Sequence, residues 1–468
     1  MKINPSIFRS YDVRGIYPYE LNEEVFSKII KAYIKLYPKA KKIVVAQDTR
    51  LSSPSLAKEV ISTLFKAGKE VIDIGIAPDP LFYFSIFHYN FDGGVMITAS
   101  HNPKEYNGMG LNVRKLNGEI EDIIGKDLEK IKKMVISNKK IDLPDKKGKI
   151  TVFDPSRDYI DYVIPKINLK RPLKVILDSG NGACGFLPGE IFKKIGCEVE
   201  TLYGEFDGSF PNHLPDPYEE KNLEKIKKEV ISKKADIGFA YDTDGDRVGV
   251  IDNQGRPVQG DFCLLMLANQ ALKKKKGPIC HDMRVSKAFL DEMKKIGVPT
   301  HFCISHHSSI IKKILETKAV FGGEITLHFL FPLDYYLCDE AIFSSLKIAE
   351  IASNQDDFAK HIDGLPRYFA SPEIFIDVKD EEKFKIVENL QKYLRKNKYD
   401  FIDVDGARIN FSNGWALIRA ANTSPFIKCR FEGETENGLI EIEKKSLEIF
   451  KKTGIPITEA VYKKLNLK

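Results

Sequence analysis

Lys42-Ile43-Val44-Val45-Ala46-Gln47-Asp48 is an apolar segment that ends in an acid, and it starts a pattern that occurs three times in the chain. A helical segment, a terminal glycine and a second apolar segment follow it. The other copies start at Lys174-Val175-Ile176-Leu177-Asp178 and at Pro278-Ile279-Cys280-His281-Asp282. Each copy predicts a strand, a helix with a glycine cap and another strand, which together form a βαβ unit. Parallel strands with helices on the sheet faces follow from such units.

The three copies and the length of 468 residues predict the domain organisation. We expect an α/β protein with three related mixed α/β domains built on βαβ units, followed by a smaller C-terminal α+β domain. The proposed domains cover residues 1–148, 149–251, 252–364 and 365–468. The stretch from 132 to 149, rich in Lys and Asp, is the predicted first linker.

Composition excludes several functional classes. The net charge of +6 is modest, and lysines alternate with acids, which argues against nucleic acid as a partner. No apolar run is long enough to cross a bilayer, and the N-terminal residues lack the apolar stretch expected of a signal peptide. The seven cysteines have no metal-binding spacing, and their odd number argues against a secreted disulfide framework. We therefore expect a cytoplasmic protein without a membrane partner, either monomer or dimer.

A turn rich in polar residues, Thr98-Ala99-Ser100-His101-Asn102-Pro103, is the first candidate site. The preceding residues 91–97 are predicted to form a short apolar strand, and the Asn-Pro pair and the later Asn107-Gly108 pair are interpreted as turns. Ser100 would then lie just past the end of a strand, where open α/β sheets bind ligands. It is a candidate nucleophile or phosphate carrier, with an ordinary surface turn as the alternative.

Three acids at alternating positions, Asp242, Asp244 and Asp246, follow a predicted buried strand. Such carboxylates repel one another unless a cation lies among them, and hard oxygen ligands favour Mg²⁺ or Ca²⁺. An EF-hand is excluded because its sixth and twelfth positions would be Arg247 and Asn253. A phosphatase of the haloacid dehalogenase type remains possible locally, but it leaves the Ser100 turn unexplained.

Two later segments have the composition of a sugar and a phosphate site. Glu324 and His328 follow a strand that ends in two glycines, and their side chains can bond to sugar hydroxyls. Near the C-terminus, Arg419, Asn422 and Thr423 lie where a strand runs into a polar turn. These donors and the exposed backbone N–H groups are suited to a phosphate dianion.

Taken in order, these motifs resemble those of the α-D-phosphohexomutase family, in its phosphomannomutase/phosphoglucomutase branch, over nearly the whole chain. The resemblance implies a four-domain enzyme with its active site in the central cleft. It implies an intramolecular phosphotransferase that interconverts hexose 1-phosphate and hexose 6-phosphate, of mannose, glucose or both. A phosphoserine, Mg²⁺ and a hexose 1,6-bisphosphate as intermediate and activator belong to the same expectation.

The resemblance also assigns roles to individual residues. The expected catalytic residues are Ser100, His101, Arg14, Arg247 and His307. The expected substrate-binding residues are Tyr11, Arg284, Glu324, Thr326, His328, Arg419, Asn422 and Thr423. The expected metal ligands are Ser100, Asp242, Asp244 and Asp246.

Four positions depart from the family pattern. Gly110 stands where a lysine is expected, Ile304 replaces another lysine, Leu327 replaces a glycine and Ala421 replaces a serine. All four lie in segments that would touch substrate. They leave open a second hypothesis, a mutase-like sugar-phosphate-binding paralogue with reduced or altered activity.

Overall fold

The computed structural model describes residues 3–9, 11–115, 118–137, 139–421, 425–459, 462 and 465. The chain forms two compact units. The first unit comprises residues 1–259, 326–330 and 334–363, and the second comprises residues 260–325, 331–333 and 364–468. Within the described ranges, no helix combines the length and the apolar character that crossing a membrane requires.

The first unit starts with a mixed sheet in which seven strands are described. These are β1 (Val13–Ile16), β2 (Lys42–Gln47), β3 (Glu70–Ile76), β4 (Gly93–Ile97), β5 (Tyr106–Arg114), β6 (Ile120–Asp122) and β7 (Lys149–Val152). Their order is β1-β5-β4-β2-β3-β7, with β6 beside β5. Strand β2 is parallel to β3 and β4, whereas β5 is antiparallel to β4 and β1. The associated helices are α1 (Glu23–Leu36), α2 (Ser53–Lys66), α3 (Asp79–His88) and α4 (Gly125–Ile136).

Local sequence explains why these elements form. Helix α1 begins after Asn22, whose side chain accepts a hydrogen bond from Val25 N, and two glutamates occupy its first turn. The apolar face of α1 packs into a core with α2, α4 and the inner residues of β2, β4 and β5. Strand β4 is buried along its whole length, as expected for a strand inside an α/β sheet. This burial fixes the end of β4, from which the Ser100 turn leaves.

A second mixed sheet completes the first unit, with β8 (Lys174–Asp178), β9 (Glu198–Leu202), β10 (Ile237–Tyr241), β11 (Val248–Asp252) and β12 (Pro257–Val258). Its order is β12-β11-β10-β8-β9. The associated helices are α5 (Ser156–Val163), α6 (Leu187–Lys194) and α7 (Glu224–Lys233). The later segments of this unit contain β16 (Phe329–Leu330), α11 (Ala341–Ser353) and α12 (Phe358–Asp363).

The second unit starts with parallel strands β13 (Ile279–Asp282), β14 (Thr300–Cys303) and β15 (Phe321–Gly323), with helices α8 (Gly260–Lys274), α9 (Lys287–Lys295) and α10 (His307–Thr317). An antiparallel sheet follows. It contains β17 (Phe369–Ala370), β18 (Ile374–Asp377), β19 (Phe401–Ile402), β20 (Ala407–Phe411), β21 (Gly414–Ala420) and β22 (Phe426–Gly433). Helices α13 (Lys383–Lys396) and α14 (Glu436–Thr453) pack into one core with this sheet.

The repeated pattern of the sequence is confirmed as three βαβ units. In each unit the two strands are parallel neighbours: β2 with β3, β8 with β9, and β13 with β14. The glycines that follow the three helices, Gly68, Gly196 and Gly297, have φ values of 78°, 93° and 69°. These left-handed conformations end the helices at little steric cost. The predicted α+β character of the C-terminal segment is confirmed as well.

One local prediction was wrong. Asn107-Gly108 was interpreted as a turn, but both residues lie in β5. The Asn107 amide donates to Ser52 Oγ and Ser53 Oγ, at 2.7 and 3.0 Å. A Cβ on Gly108 would lie 2.3 Å from Val13 O, so a glycine is needed for the close approach of β1. Packing between strands therefore determines the conformation here, and local turn propensity does not.

Candidate active site

The predicted serine turn lies at the end of β4, as expected. Ser100 is buried and has a φ of +47°, a left-handed conformation that a residue with a side chain adopts at some cost. The backbone N–H of Ser100 donates to Thr98 Oγ1 at 2.8 Å. The turn therefore presents the Ser100 hydroxyl from a constrained backbone.

The Ser100 hydroxyl lies among charged groups of the Asp242 loop. Its Oγ donates to Asp242 Oδ2 at 3.1 Å and accepts from Arg247 Nη1 at 2.9 Å. The same Arg247 nitrogen donates to Asp242 Oδ2 at 3.0 Å. His101 Nδ1 is 3.2 Å from Ser100 Oγ and also contacts Arg247 Nη1. The hydroxyl that follows β4 and the acids that follow β10 therefore meet, although 142 residues separate Ser100 from Asp242.

The three predicted acids are buried at the end of β10. Burial and the charge of Asp246 raise the pKa values of Asp242 and Asp244. Asp244 Oδ2 accepts from Thr98 Oγ1 at 2.8 Å. In the described part of the chain, the buried Oδ1 atoms of Asp244 and Asp246 have no hydrogen-bond partner. Buried, mutually repelling oxygens of this kind fit a hard divalent cation.

A fourth acid, Asp79, joins this cluster and was not predicted. It is the first residue of α3, and its backbone N–H donates to Asp244 O at 2.7 Å. Single carboxylate oxygens of Asp79, Asp244 and Asp246 lie within 4.8 Å of one another. The set contains oxygen alone, which suits Mg²⁺ better than a softer metal. No sequence pattern links Asp79 to the acidic loop, because α3 precedes that loop by more than 150 residues.

Arg247 connects the Ser100 hydroxyl to the pair formed by His328 and Asp339. Its Nε donates to His328 Nε2 at 2.9 Å, and His328 Nδ1 lies 3.2 Å from Asp339 Oδ2. His328 was predicted as a sugar ligand, whereas Asp339 was not predicted at all. Burial alone would lower the pKa of Arg247, but the carboxylates of Asp246 and Asp242 raise it. Arg247 is thus a permanent cation beside Ser100.

Two further predicted residues flank the hydroxyl. Arg14 Nη1 donates to Ala99 O at 3.1 Å and to Asn102 Oδ1 at 2.6 Å, so it lies against the Ser100 turn. Burial, followed by the charges of Arg247 and Arg14, lowers the pKa of His101 well below its usual value. His101 is therefore neutral at pH 7.

The second unit holds a separate group of predicted residues. Arg284 Nε donates to Asp282 Oδ2 at 2.5 Å, and its Nη2 donates to Glu324 Oε2 at 3.0 Å. All three side chains are buried. Arg284 and Glu324, both predicted to bind substrate, are thus brought together at the ends of β13 and β15.

Arg419, the predicted phosphate ligand, lies near the end of β21 beside Asp405. Its Nη1 donates to Asp405 Oδ2 at 2.7 Å, and its buried Nε has no hydrogen-bond partner in the part of the chain that the structure describes. A free buried donor of this kind suits an anion. Asn422 and Thr423, which were predicted to help bind the phosphate, lie outside the described residues.

The remaining predicted residues occupy irregular segments or helix ends. His307 is the first residue of α10, with its ring centroid 4.2 Å from that of His306. Tyr11 lies in a bend before β1, and Thr326 lies in the segment after β15. Both are partly buried. The geometry assigns no role to these three residues.

The four departures from the family pattern differ in their surroundings. A Cβ on Gly110 would meet nothing within 4 Å. Ile304 is 38% exposed between β14 and α10. Leu327 is buried with a φ of +75°, a conformation that favours glycine. Ala421 is buried at the end of β21.

Known proteins match this chain over most of its length. Successive domain families match the chain: phosphoglucomutase/phosphomannomutase, alpha/beta/alpha domains I, II and III, and the C-terminal domain. The matched segments are residues 5–135, 157–255, 259–368 and 373–448.

Individual relatives from the same family are similar to this chain over nearly its whole length. A phosphomannomutase/phosphoglucomutase of Pseudomonas putida is 34% identical over 442 residues, which is 94% of each chain. A phosphoglucomutase of Neisseria gonorrhoeae is 31% identical over 95% of this chain and 96% of its own. The crystal structure of a family protein from Burkholderia thailandensis superposes with a TM-score of 0.89 at 28% identity, covering 97% of this chain and 99% of its own. The chain therefore belongs to the phosphoglucomutase/phosphomannomutase family of intramolecular phosphotransferases and has its four-domain α/β fold.

Proposed function

We propose that this chain is a Mg²⁺-dependent phosphohexomutase that interconverts hexose 1-phosphate and hexose 6-phosphate, with mannose or glucose as the sugar. The proposal rests on one observation above all. The buried Ser100 hydroxyl accepts from Arg247 and donates to Asp242, beside further buried acids. A resident phosphoserine and a hexose 1,6-bisphosphate intermediate are parts of the proposal.

In the first half-reaction, the phosphoryl group moves from Ser100 Oγ to a free hydroxyl of the sugar phosphate. The bond between phosphorus and Oγ breaks, a bond to the sugar oxygen forms, and the proton that the sugar hydroxyl loses is balanced by the proton that Oγ gains as it becomes a hydroxyl again. Arg247 Nη1, 2.9 Å from Oγ, stabilises the negative charge that develops on that oxygen. In the second half-reaction, the bisphosphate returns its other phosphoryl group to Ser100.

We propose His101 as the group that takes the proton of the Ser100 hydroxyl in the second half-reaction, when that hydroxyl attacks the bisphosphate. Its Nδ1 lies 3.2 Å from Ser100 Oγ, and the lowered pKa keeps the ring neutral at pH 7. Arg14 contacts the backbone of the turn and is better placed to hold phosphate oxygens. His307 stays a candidate for proton transfer through the family resemblance alone.

The acidic cluster provides the proposed metal site. Asp242, Asp244 and Asp246 are the expected protein ligands together with the phosphorylated Ser100. Asp79 adds a carboxylate oxygen that lies within 4.8 Å of oxygens of Asp244 and Asp246. When bound, Mg²⁺ would neutralise charge on the phosphoryl oxygens during transfer.

Substrate recognition is assigned mainly to the second unit. The unpartnered Nε of Arg419 is proposed to bind the phosphate that does not react, with Asn422 and Thr423 as further donors. Glu324 and Arg284 are proposed to bind the sugar. His328, Thr326 and Tyr11 complete the proposed set of substrate ligands.

A second candidate function is a sugar-phosphate-binding paralogue with reduced or altered activity. Leu327 favours it, because a buried branched side chain with a φ of +75° stands where the family has glycine. The open space at Gly110 also favours the paralogue, because the family has a lysine at this position and this chain does not.

A coupled assay with glucose 1-phosphate and mannose 1-phosphate, primed with glucose 1,6-bisphosphate, tests the proposal. We expect turnover that Ser100→Ala and chelation of Mg²⁺ both abolish. Mass spectrometry of the purified protein should find one phosphate on the peptide that contains Ser100. If every hexose phosphate binds in calorimetry but none is converted, the mutase proposal fails and the paralogue is supported.

A further inference from the structure

Arg50 is a buried arginine that the proposed chemistry does not use. It follows β2, has a relative exposure of 0%, and directs its guanidinium at the backbone of the Ser100 turn. Nη2 donates to Ser100 O and to Asn102 O, both at 2.6 Å. Nη1 donates to Pro103 O at 2.7 Å and to Tyr106 O at 3.1 Å. One side chain therefore binds four carbonyls between residue 100 and the start of β5.

Arg50 is itself held in place. Asp48 Oδ2 accepts from Arg50 Nε at 3.0 Å, and Asp48 Oδ1 accepts from the Arg50 backbone N–H at 3.0 Å. Ser53 Oγ donates to the same Oδ1 at 2.5 Å. The ring of Phe210 lies 5.5 Å from Arg50 Cζ, and Gly208 forms a backbone bridge with Arg50. The guanidinium has little freedom, so its donors define where the carbonyls lie.

These bonds bear on the conformation of the reacting residue. With a φ of +47°, Ser100 is in a region that a serine seldom occupies without support. The guanidinium of Arg50 binds the carbonyl of Ser100 itself and those of Asn102, Pro103 and Tyr106. With the backbone so fixed, the Oγ atom is held at 2.9 Å from Arg247 Nη1. A shift of about 1 Å in a reacting atom can lower a rate by about a hundredfold.

We propose that Arg50 is a positioning residue for phosphoryl transfer, which fixes the Ser100 turn through four carbonyls and so places Oγ for reaction; this inference rests on the proposed mutase function. Arg50 acts through the backbone and touches neither Oγ nor the predicted substrate ligands in the contacts described. Lysine cannot replace it, because an ammonium lacks the planar fork of five donors.

The test compares Arg50→Lys with Arg114→Lys. Arg114 is a matched control in the same unit, since its Nε, Nη1 and Nη2 also donate to carbonyls, those of Phe91, Gly118 and Ile86. We expect Arg50→Lys to lower kcat about a hundredfold and to leave KM within about twofold. Arg114→Lys should keep kcat within about threefold. Asp48→Asn loosens the Arg50 side chain without removing it and should lower kcat about tenfold. This variant replaces Arg50→Lys in the test if Arg50→Lys does not fold.

Hydrogen exchange, followed by mass spectrometry, gives a readout independent of turnover. Amides in the peptide covering residues 98–108 should exchange at least about tenfold faster in Arg50→Lys than in the unchanged protein and in Arg114→Lys. Equal exchange in that peptide overturns the inference, as does a rise in KM with kcat retained. Absence of mutase turnover in the unchanged protein would overturn the proposed function, and the exchange experiment would then decide only whether Arg50 fixes the Ser100 turn.

Discussion

Ser100 combines a reactive position with an unfavourable backbone. Its φ of +47° is left-handed, and non-glycine residues at such positions are enriched at functional sites, where surrounding contacts hold them. Here the contacts are the side chains of Arg247 and Asp242 on Oγ and of Thr98 on the backbone N–H. This conformation costs free energy of folding, and variants that lack the hydroxyl allow that cost to be measured separately from catalysis.

Ser100→Gly should be more stable than Ser100→Ala by about 0.5 to 1 kcal/mol, because glycine adopts the left-handed conformation without a Cβ clash. Neither variant should show turnover, since both lack the hydroxyl. Urea denaturation measures the difference in the free energy of unfolding. Ser85, inside helix α3, is the control position. There Ser85→Gly should be less stable than Ser85→Ala by a similar amount. If Ser100→Ala equals or exceeds Ser100→Gly in stability, the strain argument is wrong.

Asp79→Asn should weaken Mg²⁺ binding about tenfold, because it removes one charge from the carboxylate set at constant size. Isothermal titration calorimetry of Mg²⁺ into the metal-free protein measures this without reference to activity. Asp127→Asn is the matched control, since Asp127 also lies in the first turn of a helix but pairs with Lys130 and Lys115. An unchanged affinity in Asp79→Asn would remove Asp79 from the site.

At the scale of elements, sequence and structure agree where the signal is local. The first segment was predicted to be a strand ending near Asp48, and β2 covers Lys42–Gln47. Alternation of apolar segments with glycine-capped helices is contained within some thirty residues, so propensity and burial favour the same answer. The turn prediction for Asn107-Gly108 was wrong because the residues that fix its conformation, Ser52, Ser53 and Val13, are distant in sequence.

Strand β13 contains a buried titratable group whose effect on stability can be predicted. His281 Nδ1 donates to Asp282 O at 2.9 Å, and the buried Nε2 has no hydrogen-bond partner among the described residues. Burial lowers the pKa of His281 to about 4. An unfolded histidine has a pKa of about 6.5, so the stabilising contribution is complete above that pH. It is lost as pH falls from about 6.5 towards 4, because only the unfolded state takes up the proton readily.

We therefore expect the free energy of unfolding to fall by about 2 kcal/mol more between pH 7.5 and 5.0 in the unchanged protein than in His281→Phe. Urea denaturation at the two pH values gives both differences. Phenylalanine retains a ring next to Phe302 and Phe289, whose rings pack against His281. Parallel pH dependence in the two proteins would show that His281 does not titrate as its burial implies.

At the scale of the whole molecule, the groups proposed for reaction and for recognition belong mostly to different units. Ser100, Arg247 and the acids lie in the first unit, whereas Arg419 lies in the second with Arg284 and Glu324. Motifs in the sequence identified these groups, because each lies at or near the end of a strand. Asp79, Asp339 and Arg50 were missed because none belongs to a motif of its own. Asp79 and Arg50 act on residues far away in the chain, whereas Asp339 pairs with the nearby His328. The predicted location of the active site in a central cleft stays a prediction.

This division leads to a prediction that separates binding from turnover. Ser100→Ala should abolish turnover but keep the Kd for glucose 1-phosphate within about threefold, as measured by calorimetry. Arg419→Met should raise that Kd roughly thirtyfold, which corresponds to about 2 kcal/mol for one charged hydrogen-bonding group. Arg395→Met is the control, because Arg395 also pairs with an aspartate of the second unit, Asp403, but is exposed. If Arg419→Met and Arg395→Met bind glucose 1-phosphate equally tightly, the buried Nε of Arg419 does not bind the substrate phosphate.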